Sequence, residues 1–123
     1  MSHFAQIDKN DIVTNIIVCE QSDIDSGHFG DPSTWIETDP RTIFNVHYGE
    51  DMKPDGGTPL RANYACIGEK YDRVNDVFYP SRPMHKSWTI SGPDWMWKAP
   101  KPMPTDGKRY TWNEAQLNWI LRT

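Results

Sequence analysis

The sequence predicts an all-β chain of antiparallel hairpins, forming a small sandwich or an open barrel with proline-rich connections and little or no helix. Three observations predict it. Apolar residues alternate with a period of two rather than 3.6 almost everywhere. Proline or glycine interrupts nearly every window long enough to hold a helix. Polar clusters of turn-forming residues recur between short aromatic runs.

The first pair of strands is "HFAQI" and "IVTNIIVC" around Asp8, Lys9, Asn10 and Asp11. A four-residue loop there sets Ile7 opposite Ile12 and Ala5 opposite Thr14. In the second strand Ile12, Ile16 and Val18 share one face, and Val13, Ile17 and Cys19 the other. Neither face is polar, which predicts a central strand covered on both sides.

The interval from Glu20 to Leu60 is more irregular. "SDIDSGHFGDPS" predicts one short helical turn, "TWIET" a short strand, and Ile43 to Val46 another. "HYGEDMKPDGGTPL" reads as a long loop of turn formers, the kind of segment in which function often sits.

Three further hairpins follow. "EKYD" and "VFYP" flank Arg73 to Asp76, which sets Tyr71 opposite Phe78 and Lys70 opposite Tyr79. "SWTI" and "WMWK" flank Ser91 to Asp94, which sets Ile90 opposite Trp95 and Trp88 opposite Trp97. "YTW" and "LNWIL" flank Asn113 to Gln116, which sets Trp112 opposite Leu117 and Tyr110 opposite Trp119. The spacers "PSRPMHKS" and "APKPMPTDGK" are extended, because closely spaced prolines fix φ and withhold backbone donors from a ladder. Residues 1–123 are thus read as one domain, with a hairpin and loop-rich segment in 1–60 and tandem aromatic hairpins in 61–123.

Composition bounds the function. A chain of 123 residues can fold as one unit, burying about two-thirds of its unfolded surface. Apolar residues make up only 37%, while ten prolines and six tryptophans are many for this length, so large rings must replace part of an aliphatic core. A net charge of −4 with singly scattered Lys and Arg leaves no footprint for a phosphate backbone, which excludes nucleic acid as the expected partner. No apolar run approaches the ~18 residues of a membrane span, and "MSHFAQIDKN" lacks the features of a signal peptide. The expectation is a protein made in a cytoplasm-like compartment with no membrane partner.

Chemistry-bearing motifs are sparse. Asp51, Lys53, Asp55 and Gly56 alternate like the start of a calcium loop, but Lys occupies a ligand position and no Glu follows at the required spacing. His3, His28, His47 and His85 stand far apart without paired cysteines. Cys19 and Cys66 are too few for a disulfide scaffold and read as reduced, buried, small residues. No phosphate loop, G-x-S-x-G or H-E-x-x-H occurs. The expectation is no enzymatic activity, no metal and no cofactor.

The aromatic rows are the one constellation. Trp88, Trp95, Trp97, Tyr110, Trp112 and Trp119 are the candidate partner or glycan contacts, with packing against a core or a partner subunit favoured over a displayed sugar platform.

The segments "HFAQIDKNDIVTNIIV", "WIETD", "GGTPLRANYACIGEKYDRVNDVFYP", the Ser87-Trp88 pair and "PTDGKRYTWNEAQLNW" occur in that order and cover most of the chain. In these the sequence resembles a small family of virion structural proteins encoded by tailed phages of marine and freshwater bacteria, cyanophages included. It departs from them at "SGPDWMWKAP", where the family carries a longer polar tip and a single Trp. The resemblance implies a phage structural component made in the host bacterial cytoplasm and located in the virion. The expected role is a capsid decoration (cement) protein binding the major capsid protein as a symmetric homo-oligomer. The alternatives are a tail or tail-fibre component and a host-glycan-binding module. No catalytic or ligand residue comes with the resemblance.

Overall fold

The computed structural model describes residues 1–122. The chain is all-β, built from antiparallel hairpins, with one five-residue helix and a single 3₁₀ turn. The strands do not close into a barrel.

A three-stranded sheet organises the N-terminal part. Strands β1 (Ser2–Ile7), β2 (Val13–Cys19) and β3 (Trp35–Thr38) lie in the order β2-β1-β3. The central strand is therefore β1, not the more apolar β2 that the sequence predicted. Its alternation decides this. Ala5 and Ile7 join Val13, Ala65, Tyr71 and Phe78 on one face, while Phe4 joins Cys19, Ile24 and Trp35 on the other. β2 keeps Val18 half exposed at the sheet edge.

The register of this hairpin also differs from the expected one. Ala5 faces Ile16 and Ile7 faces Val13, with a bulge that leaves Thr14 unpaired. A bulge inserts one residue and turns the strand over. Val13 thereby joins the face of Ile16 instead of that of Ile17 and Cys19.

Helix α1 (Gln21–Asp25) forms where the Asp23 carboxylate accepts from the Glu20 backbone N–H at 3.2 Å, and buried Ile24 ties the helix to Phe4 and Trp35. The short strand expected at Ile43 to Val46 is instead a tight hairpin, β4 (Thr42–Ile43) and β5 (Val46–His47). Phe44 and Asn45 between them both have positive φ, 49° and 62°, as a two-residue turn of mirror-image type requires.

Three tandem hairpins follow: β6 (Lys70–Asp72) with β7 (Val77–Tyr79), β8 (Thr89–Ser91) with β9 (Met96–Lys98), and β10 (Tyr110–Asn113) with β11 (Asn118–Leu121). The β6–β7 register is the predicted one, Tyr71 opposite Phe78. The other two are shifted by two residues. Ile90, not Trp88, faces Trp97, and Trp112, not Tyr110, faces Trp119. Each loop holds four residues, but begins one position later than turn polarity suggested. Asp72 and Asn113 end their first strands and cap the loops, accepting from Asn75 N–H at 3.1 Å and Gln116 N–H at 2.9 Å. The fourth loop residue takes positive φ in all three, at Asp76, Trp95 and Leu117. Trp95 accepts the cost, of order 1–2 kcal/mol for a non-glycine residue, because its tertiary contacts hold it there.

The body, residues 1–79, is knit by the 62–71 segment. Val13 N–H donates to Glu69 O and Gly68 N–H to Val13 O, and Ala65 N–H donates to the buried Thr38 hydroxyl at 2.9 Å. Residues 80–122 form an arm of two hairpins that leaves it.

Candidate functional site

Proline spacers leave backbone carbonyls without a ladder, and the arm uses tryptophan to satisfy them. Trp97 Nε1 donates to Pro80 O at 2.8 Å, and Trp119 Nε1 donates to Lys101 O at 2.8 Å. Both rings occupy the second position of their hairpin's returning strand, so each hairpin is pinned to the spacer before it by the same bond. The ring that fills this position in the body hairpin is Phe78, fully buried in the core.

Of the six aromatic candidates, the structure brings three into one cluster. Trp88, Trp112 and Trp119 have centroids 5.3–6.2 Å apart at interplanar angles of 56–80°. Trp112 is the buried member, and its Nε1 donates to Glu114 Oε1 at 2.9 Å. The same carboxylate accepts from Ser87 N–H and Oγ–H, closing the first spacer onto the last hairpin. These donors, the Trp112 indole foremost, hold the Glu114 carboxyl below the usual glutamate range. Trp88 Nε1 is enclosed without a partner. Trp97 meets Trp88 and Trp119 around an open groove of about 360 Å³, bordered also by Lys98, Lys101 and Met103.

Trp95 and Tyr110 stand apart from the cluster. Trp95 stacks on Tyr79 of the body at 6.2 Å and 15°, while Tyr110 donates its hydroxyl to Asp106 at 2.7 Å. The joint between body and arm is completed by Asn63. Its Nδ2 donates to Phe78 O at 2.8 Å and Trp95 O at 3.1 Å, and its Oδ1 accepts from Phe44 N–H at 2.8 Å. One buried side chain thus ties three segments.

A second groove, of about 330 Å³, lies on the body at the base of the arm. Ile43, Phe44, Met52, Tyr64 and Cys66 line it, and Ile43, Phe44 and Met52 are well exposed. Sequence reasoning missed it. The signal was present as apolar side chains, Ile43, Phe44 and Met52, in a stretch read as strand and solvated loop. Cys66, expected to be buried, is exposed here, because the 63–69 segment is a turn and not a strand. Partial shielding from water, with Glu69 alongside, still pushes the thiol up, and desolvation likewise raises Glu69.

The 49–57 loop beside this groove is held by His47. Its Nδ1 lies 2.8 Å from Asp55 and its Nε2 3.2 Å from Asp39. The hydrogen bond to Asp55 raises the imidazole above its ordinary value and lowers Asp55. Asp51 and Asp55 also accept the backbone N–H groups of Lys53 and Gly57. The carboxylates of the calcium-like stretch therefore serve the turn itself. Among the described residues no cluster of three or more His, Cys, Asp or Glu is placed to hold a metal ion, and no helix is long and apolar enough to cross a membrane.

Charge divides along the same boundary. Residues 1–79 carry six Lys or Arg against fourteen Asp or Glu, a formal −8, while residues 80–123 carry seven against three, a formal +4. The scattered look of the basic residues hides this asymmetry, which emerges only when the chain is cut where the fold cuts it. No protein-family model, no curated protein and no solved structure matches the chain.

Proposed function

We propose that this chain is a non-enzymatic structural protein of a tailed-phage virion, a decoration protein that binds the major capsid protein lattice and stabilises it. The observation that carries an assembly role is surface. The chain exposes 8152 Å² for a mass of 14.3 kDa, whereas a compact monomer of that mass exposes about 6,800 Å². The excess of about 1,300 Å² exceeds the ~800 Å² that each partner gives to a standard interface. It is spent on an arm held together by interlocked rings and on a body groove with apolar rims, both suited to contact with other protein surfaces.

The phage setting comes from the resemblance of the sequence motifs. Binding to the assembled lattice and not to unfolded chains would stabilise the shell by mass action. The ring angles within the Trp88, Trp112 and Trp119 cluster favour interlocked packing over the coplanar platform that stacking on sugars requires.

The test is an image of the intact particle, with copy number measured by quantitative mass spectrometry. A lattice-bound protein repeats with its lattice and is expected at on the order of hundreds of copies. Tens of copies or fewer, located at the tail, would replace this reading with a tail component. Absence from the particle would end it.

A further inference from the structure

We infer that copies of this chain associate head to tail, the β10–β11 hairpin of one copy seating its exposed apolar edge in the body groove of the next. This deepens the assembly reading and rests on it for its setting, but the interface stands on its own geometry.

The two surfaces are complementary in apolar character and in charge. The groove is concave, with Ile43, Phe44 and Met52 along its rim and Arg41 and Glu69 offsetting one another in its lining, and the 50–55 loop, whose Glu50, Asp51 and Asp55 outnumber Lys53, runs through Met52. The last hairpin presents an exposed apolar edge. Leu117 is exposed at its tip and Ile120 on its outer face, opposite the side on which Trp112 and Trp119 pack. Its open end is basic. Arg122 N–H donates to Arg109 O at 2.8 Å, which brings Arg109 and Arg122 side by side next to Lys108. An apolar edge with a basic end thus matches an apolar groove with an acidic flank.

The same charges select the mode of association. A contact of body on body or of arm on arm would place like on like, −8 against −8 or +4 against +4. Arm on body pairs opposite signs, and made from each copy to the next it is a heterologous contact. The hydrogen bonds of β10–β11 run, among the described residues, only within the arm, so its outer face is left to a partner. A heterologous contact builds rings or open chains according to whether its rotation closes.

The experiment uses the purified full chain. Sedimentation velocity at low salt should show species that grow with concentration. At about 0.5 M salt, where screening acts within roughly 4 Å, association should weaken at least tenfold. Phe44→Asp, at an exposed turn position, should weaken it at least tenfold at low salt while the circular dichroism spectrum is kept. Cross-linking then fixes the register. A Cys66→Ser/Ile120→Cys variant mixed with the unaltered chain and a short bismaleimide should yield a heterodimer that neither protein forms alone. A chain that stays monomeric at every concentration and salt, a variant that cross-links to itself through the arm, or an unaltered chain that cross-links through its groove would each overturn the inference. A monomer still found on the particle would sink only the head-to-tail contact, whereas head-to-tail chains absent from the particle would sink only the virion role.

Discussion

The body and the arm solve the same problem with different materials. In the body, a three-stranded sheet has both faces covered, and Phe4, Ala5, Val13, Ala65 and Phe78 are almost wholly removed from water. In the arm, only Trp112 is buried to that class. Its hairpins have no second layer, and their stabilisation comes from rings wedged edge to face and from indole N–H groups bonded to spacer carbonyls. Hydrophobic burial scales with the area hidden, so a short hairpin of aliphatic residues would gain too little alone. Tryptophan offers the largest area per residue together with a directional donor, and this lets two isolated hairpins keep fixed positions without a sheet beneath them.

The sharpest way to break the contrast is Phe78→Ala. The site has no exposed surface, and the loss is expected at about 3–5 kcal/mol, read as a lower urea midpoint for the whole chain. Asn63→Ala should follow at roughly 2–3 kcal/mol, because it strands buried carbonyls and an N–H of three segments. It should also loosen the arm from the body, seen as faster amide exchange at the Trp95 loop with protection in β1 unchanged.

Trp119→Phe keeps a smaller ring but removes the bond to Lys101 O and part of the packing on Trp88 and Trp112, so a loss of about 1–2 kcal/mol is expected. Five of the six tryptophans lie in the arm, so indole fluorescence should report this change at lower urea than far-ultraviolet dichroism, which follows the body. Coincident midpoints would show that the two regions unfold as one unit.

The smallest effects are those of pH, and they separate the regions by sign. His47 has a raised folded value, so its contribution is complete below the ordinary 6.5 and fades as pH rises through the folded value. Glu114 has a lowered one, so its contribution is complete above the ordinary 4.5 and fades as pH falls through the folded value. Raising the pH should therefore lower the amide protection factors of the 49–57 loop of the body, measured against the intrinsic exchange rate at each pH. Acid should loosen the contact of Ser87 with the last hairpin. His47→Gln should abolish the first dependence and leave the second.

Much of the fold was legible because turn chemistry and period-two alternation are local. Counting the four-residue loop Arg73 to Asp76 gives the β6–β7 register correctly, because Asp72 ends its strand and its carboxylate caps that loop. Asn113 caps its loop in the same way but is counted by its polarity as the first loop residue, which displaces the last hairpin. Counting loop polarity misled at Trp95 and Leu117, since both are apolar residues in a left-handed loop position. The central place of β1 was not legible. It depends on which strand the β3 segment pairs with, a contact across about thirty residues that leaves no local mark. The candidate rings were found by composition, but their division between cluster and joint was not, because the two-residue register shift decides which rings share a face. The body groove escaped for a related reason. Phe44 reads as strand by propensity and becomes a turn only through its neighbours.

The indole-to-spacer bond has one more consequence. Each hairpin with its preceding proline segment is a cassette of about twenty residues, carrying its own four-residue loop and an indole anchor to its own spacer. Such a chain has a reach that is counted rather than sculpted: inserting one more cassette would move the distal tip outward by a fixed step without altering a single residue of the sheet on which it stands.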